Sequence, residues 1–128
     1  MEQLKQCIAS QVPMDNQSLE SILTCFEEQF LRKGEYLLHS GSACRTMAFI
    51  ASGYLRMYDI VQGKEITFWI GSEGKFITSL SSFIFQTENY WNIQALTDCK
   101  VYTINRDRHM SLCKRLPQWL EFDNVLLA

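Results

Sequence analysis

The sequence predicts a mainly β domain with short helices at both ends, and three observations carry that reading. All six glycines fall in the middle of the chain, at positions 34, 41, 53, 63, 71 and 74. The first four gaps between them are 7, 12, 10 and 8 residues, the turn rhythm of short strands in a sandwich or barrel. Apolar segments of strand length lie between these turns, whereas the flanking stretches repeat their apolar residues with helical spacing.

The first region, up to about Phe26, reads as helical. Leu4, Cys7 and Ile8 share one face, and Pro13-Met14-Asp15-Asn16 breaks the run. Leu19, Ile22, Leu23 and Phe26 then follow the i, i+3, i+4, i+7 pattern of a second helix. Asp15 or Asn16 can cap it by accepting backbone N–H bonds.

β-structure is expected from about Phe30 to Asn105. Its segments are Tyr36-Leu37-Leu38, Met47-Ala48-Phe49-Ile50, Tyr54-Leu55-Arg56-Met57-Tyr58, Ile66-Thr67-Phe68-Trp69-Ile70, Trp91 to Leu96, and Val101-Tyr102-Thr103-Ile104. Ile66, Phe68 and Ile70 alternate with Glu65, Thr67 and Trp69, which predicts a strand that buries the first set. Gln62-Gly63 suits the tip of a hairpin.

The last region is helical again. Asp107 is placed to cap a helix whose inner face carries His109, Leu112, Cys113 and Leu116. Pro117 stops that helix or opens the next at a first-turn position. The tail from Trp119 to Ala128 is strongly apolar and reads as cut short.

With 128 residues, 47% of them hydrophobic and 20% charged, the chain has the balance of one folded globular domain spanning residues 1–128. No apolar run approaches the roughly 20 residues that span a bilayer. No basic segment followed by an apolar core marks the N-terminus for export. A cytoplasmic location with no membrane partner is therefore expected. The net charge of −2 and pI of about 5.6 argue against nucleic-acid binding by these residues alone. The densest basic spots, Arg106-Asp107-Arg108 and Lys114-Arg115, form no stripe that would neutralise phosphates.

Cys7, Cys25, Cys44, Cys99 and Cys113 form no C-x-x-C pair, and an odd count without an export signal points to reduced, buried or half-buried thiols. No zinc or iron–sulfur ligand spacing is present. His39 and His109 lie far apart, in contexts that suit half-exposed structural residues, and no Ser-His-Asp or Cys-His set is legible. No catalytic residue, metal or cofactor is expected, and the protein is read as no enzyme. A cupin-like metal enzyme is the alternative from that class, and it would need converging histidines.

Lys33-Gly34-Glu35-Tyr36-Leu37, then Gly41, then Phe49-Ile50-Ala51-Ser52-Gly53-Tyr54-Leu55-Arg56, resembles the cyclic-nucleotide-binding domain of Crp/Fnr transcription regulators. Gly63-Lys64-Glu65-Ile66-Thr67 resembles that family's next hairpin, and Glu73-Gly74-Lys75-Phe76-Ile77 the approach to its binding cassette. Ile104-Asn105-Arg106-Asp107 resembles the passage from its last strand into a helix. The resemblance covers roughly residues 19 to 122. It implies an antiparallel β-roll, jelly-roll-like and flanked by short N- and C-terminal helices. It also implies a sensor domain for a small-molecule effector, acting in a homodimer on DNA through a C-terminal helix-turn-helix. Here the dimer helix would be truncated after about 119, and the helix-turn-helix has no residues.

The cassette departs from the family pattern. Cyclic-nucleotide binders open a short helix with Gly-Glu and carry Arg-Ser or Arg-Thr some ten residues later, so that backbone N–H groups and a guanidinium bind the cyclic phosphate. A gapless match places Thr78 and Ser79 at the first pair and Asn89 and Tyr90 at the second. These four are the candidate ligand residues, and the only charge near them is Glu88. Restoring all four to the family's residues should raise nucleotide affinity. The run Thr78-Ser79-Leu80-Ser81-Ser82-Phe83 has two readings: it caps and solvates a short helix, or it lines a pocket for a different ligand. A stand-alone pseudo-sensor that acts through a partner protein is the third functional reading.

Overall fold

The computed structural model describes the backbone of residues 1–127 and the side chains of residues 1–122. At its centre is β3 (Thr46–Ser52), buried on both faces. The strand period of two sends Met47, Phe49 and Ala51 to one core and Ala48 and Ile50 to another. A run with no polar residue between Met47 and Ala51 is what a doubly covered strand requires.

Two antiparallel four-stranded sheets form the roll. In the first, β1 (Glu27–Leu31), β8 (Cys99–Asn105), β3 and β6 (Phe76–Ile77) lie in that order. In the second the order is β2 (Tyr36–Leu38), β7 (Asn92–Ala95), β4 (Leu55–Val61) and β5 (Lys64–Gly71). The inter-sheet core comprises Leu31, Ala48, Ile50, Leu55, Ile77, Ile93, Ala95, Cys99 and Val101. The mainly β, β-roll expectation with helices at both ends holds.

The helices cover the outer face of the first sheet. They are α1 (Glu2–Gln11), α2 (Asn16–Leu23), α4 (Arg106–Arg115) and α5 (Pro117–Leu127), while α3 (Leu80–Phe85) lies within the β part. Leu4 and Ile8 of α1, Leu19 and Ile22 of α2, and Leu112 of α4 meet Phe49, Tyr102 and Ile104 there. Trp119 and Phe122 of α5 are fully buried in the same core, stacked at 5.2 Å. These two rings therefore have partners within one copy. The tail that reads as a truncated dimer helix thus buries its first two rings within the domain, and the side chains of Val125, Leu126 and Leu127 lie outside the described residues. Among the described residues no helix is long and apolar enough to cross a membrane.

Several local expectations are corrected. β1 starts at Glu27, ahead of the expected Phe30, because its Glu-Glu-Gln-Phe stretch is exposed and lacks apolar alternation. Asp15 occupies the N-cap of α2 without a side-chain bond. Asn105, not Asp107, caps α4, its Oδ1 accepting from the Arg108 N–H at 2.8 Å. Asp107 sits in the first turn, where its charge suits the helix dipole. His109, expected half-exposed, is buried, and its Nδ1 accepts from the Trp119 indole N–H at 3.2 Å.

The alternation in β5 is also broken. Met57 pairs with Trp69 but Tyr58 pairs with Thr67, so Phe68 forms a bulge that reverses the faces on either side of it. Ile66, Phe68 and Ile70 are exposed at 41%, 56% and 53% on this edge strand, where a buried face was predicted. The β4–β5 hairpin closes on Gln62 and Gly63, both at positive φ, as a two-residue turn requires.

Gly53 joins the two sheets between β3 and β4. Its φ is +92°, and a Cβ there would lie 2.5 Å from the Asp98 carbonyl oxygen and 2.7 Å from the Cys99 sulfur. Gly53→Ala is expected to destabilise the fold by about 2–4 kcal/mol through strain and backbone displacement. Urea denaturation should show the loss as a lower midpoint with an unchanged slope.

Candidate functional site

The segment at the cassette position begins where β6 pairs with β3, Ile77 facing Ala48. α3 follows, and Gln86 ends it in the left-handed conformation at φ 55°. Four polar side chains of this segment, Thr78, Ser82, Gln86 and Asn89, are turned back on the protein. The buried Ser82 hydroxyl accepts from the Cys44 N–H at 2.7 Å and donates to the Thr87 carbonyl at 2.6 Å. The Gln86 amide donates to the Cys44 carbonyl at 2.8 Å. Together they satisfy both backbone groups of Cys44, which a neighbouring strand would otherwise do.

The four candidate ligand residues do not converge. Thr78 donates to the Thr46 carbonyl at 2.7 Å and lies 3.4 Å from the Cys44 sulfur. Ser79 is buried at the N-cap of α3, with no side-chain cap bond. Asn89 is 1% exposed; its Nδ2 donates to the carbonyls of His39 and Trp91 at 3.1 and 2.6 Å, and its Oδ1 accepts from the Trp91 N–H at 3.0 Å. Tyr90 is 65% exposed. Within the hydroxyl run, Ser82 holds the backbone of Cys44 and Thr78 borders a cavity.

That cavity measures about 300 Å³ and lies on the side of the roll where β5 and β6 are both edge strands. Met47, Met57, Trp69, Phe76, Ile77 and Leu80 give it apolar walls, and Lys75 and Thr78 complete the lining. Such a volume is at the lower end for small-molecule sites. Gly71 sets the position of one wall, because a Cβ there would lie 3.0 Å from the Trp69 ring and 2.8 Å from Ile50 Cδ1. The backbone of Lys75 is fixed, its carbonyl accepting from the Ile50 N–H at 2.9 Å and its N–H donating to Ser72 at 3.1 Å.

Two neighbouring groups are electrostatically placed. Burial pushes the Cys7 thiol up, opposed by the nearby Lys75 ammonium. On the outer face of β4, burial and the hydrogen bond that the Tyr58 hydroxyl shares with that of Tyr36 push Tyr58 up to about 12, so it stays neutral near pH 7. Arg56, from the motif that carries the family resemblance, lies 3.9 Å over the Tyr58 ring, pairs with Glu65 at 2.9 Å and donates to Gln94 at 2.7 Å. It ties three strands together and faces away from the cavity. Among the described residues no three His, Cys, Asp or Glu side chains come close enough to hold a metal.

The sequence pattern missed Met47, Met57, Trp69 and Lys75. Gly71 following an aromatic edge strand was the available signal, but the bulge at Phe68 reverses which residues of that strand face inward.

Asn89→Ala would remove three part-buried hydrogen bonds, from one N–H and to two carbonyls, and a loss of about 1–3 kcal/mol is expected. Asn89→Arg, one of the four restoring exchanges, should cost at least as much. Thermal unfolding monitored by circular dichroism would measure both.

The family profile described as "Cyclic nucleotide-binding domain" matches residues 28–116. No curated protein sequence matches the chain. Among solved structures, the catabolite activator protein of Thermus thermophilus superposes with a TM-score of 0.79 at 19% identity, over 94% of this chain and 56% of that one. The sensor domain of the transcriptional regulator DNR from Pseudomonas aeruginosa gives 0.77 at 18% identity, over 98% of this chain and 84% of that one. The regulatory domain of Toxoplasma gondii PKA, solved with cAMP, gives 0.76 at 16% identity, over 87% and 43%. The chain thus spans about half the length of the activator and of the kinase regulatory domain. With the matching profile over most of its length, the chain belongs to the cyclic nucleotide-binding domain family and is similar in fold to the sensor domains of Crp/Fnr-type regulators.

Proposed function

We propose that the chain is the ligand-sensing domain of a bacterial Crp/Fnr-type transcription regulator, that it has no enzymatic activity, and that its effector is not a cyclic nucleotide. The observation that carries this reading is the engagement of Asn89, Ser82 and Gln86 in hydrogen bonds to their own loop and to Cys44. A cyclic phosphate needs a guanidinium and open backbone N–H groups at this place. Thr78, Ser79, Asn89 and Tyr90 supply no charge. In this reading the effector occupies the cavity between β5 and β6.

A path from the cavity to the C-terminal helices supports a sensor role. Leu80 of α3 lines the cavity. At the other end of α3, Arg106 of α4 donates to the carbonyls of Phe83 and Ile84 at 3.0 and 3.2 Å. His109 of α4 then meets Trp119 of α5. A shift of α3 would move the helices that, in a longer protein, lead to a dimer helix and a DNA-binding module. Homodimerisation and DNA binding belong to that longer protein. The exposed Ile60, Ile66, Phe68 and Ile70 on the β4–β5 hairpin favour a second reading, a stand-alone domain that binds a protein partner.

Calorimetric titration with cyclic AMP and cyclic GMP tests the first reading. Dissociation constants no tighter than about millimolar are expected, roughly −4 kcal/mol. Micromolar binding of either nucleotide would overturn it.

A further inference from the structure

The apolar cavity is bordered by one cation and no anion. Lys75 is exposed, its backbone is held by β3, and among the described residues its ammonium makes no ion pair. The neighbouring Glu73 carboxylate is engaged by the Gln3 amide at 2.6 Å. Thr78 has committed its proton to the Thr46 carbonyl, which leaves the Trp69 indole N–H as the neutral side-chain donor of the lining. The remaining walls are two thioethers, an indole, a phenyl ring and two branched aliphatic chains. Methionine thioethers adapt to irregular apolar shapes and make favourable contacts with aromatic rings.

Volume narrows the choice further. At roughly 30 Å³ for each water-sized unit, the space holds on the order of ten non-hydrogen atoms, roughly half of those in a cyclic nucleotide. A single ammonium at the rim balances one negative charge.

We propose that this cavity binds a small aromatic or branched aliphatic monocarboxylate, with its hydrocarbon body between Met47, Met57, Trp69 and Phe76 and its carboxylate on Lys75. The proposal rests on the reading of the cavity as the effector site. It makes Lys75 the specificity-determining residue, at the end of the β5–β6 turn and outside the cassette. The acid is ionised near pH 7, and its pairing with an exposed lysine is salt-sensitive.

The test uses three probes of matched shape: 3-phenylpropanoate, the neutral 3-phenylpropanamide and the cationic 3-phenylpropylamine. Binding is read by calorimetry and by the methyl NMR signals of Met47 and Met57. The acid should bind about fivefold more tightly than the amide, as expected for an exposed charge pair, and the amine more weakly than both. Lys75→Gln, which breaks no hydrogen bond or ion pair of the fold among the described residues, should bring the acid down to the amide's affinity. Trp69→Ala should weaken all three. Equal binding of acid and amide, with both methionine signals shifted, would overturn the carboxylate assignment and leave the cavity as the site. An acid preference that survives Lys75→Gln would overturn the role of Lys75. If no probe moves either methionine signal up to roughly 10 mM, a limit corresponding to about −3 kcal/mol, both the assignment and the cavity reading are wrong.

Discussion

The loop between β2 and β3 is largely exposed apart from the buried Cys44, and it has almost no strand beside it to satisfy its backbone polar groups. A single bridge, Ala43 to Glu88, is all the sheet pairing it has. Side chains supply the rest. Ser82 and Gln86 take the two backbone groups of Cys44, Asn89 takes the His39 carbonyl, and Asn92 accepts from the Ser40 N–H at 3.0 Å. The Gly41 N–H reaches the Asn89 carbonyl at 2.7 Å. At the buried Cys44, each such bond left unmade would cost about 1–3 kcal/mol. At the cassette position Thr78, Ser82, Gln86 and Asn89 are committed to the fold, and beside them lies a cavity with apolar walls and Lys75 in its lining.

The same constraint connects the site to the helices. With α3 tied to Cys44 at Ser82 and Gln86, its last carbonyls point outward and are received by Arg106. The outer core then continues through Phe83, His109 and Trp119, with ring separations of 5.1 and 5.7 Å. Sheet and helices share this core because β3 is buried on both faces. A ligand that displaces Leu80 or Phe76 pushes on packed groups, since Phe76 lies 5.1 Å from Phe49 and 5.7 Å from Phe122.

Much of the fold was legible in the sequence because glycine positions and apolar segments report directly on turns and strands. Gly53 and Gly63 mark backbone conformations that disfavour side chains, and β3 has no polar residue at its centre. β1 was legible only in part because an exposed edge strand needs no apolar alternation. β5 misled because it is an edge strand exposed along its length up to Gly71 and bulged at Phe68, so its alternation does not report a buried face. For the candidate site, the departure at Thr78, Ser79, Asn89 and Tyr90 could be read, but the fate of those residues could not. An asparagine in a sequence does not reveal whether its amide meets a ligand or its own loop. Lys75 was hidden for a similar reason: a lysine after a glycine turn looks like solvent-facing charge until the cavity beside it is known.

Amide hydrogen exchange of the protein without nucleotide bears most directly on the closed cassette. If side chains of the cassette segment serve the fold, the N–H groups of Gly41, Cys44 and Trp91 should exchange about as slowly as those in the centre of β3, opening only with the whole domain. Adding cyclic AMP should leave those rates unchanged. Fast exchange at these amides in the unliganded protein, slowed by cyclic AMP, would contradict the account: the cassette would then be an open nucleotide site that orders on binding.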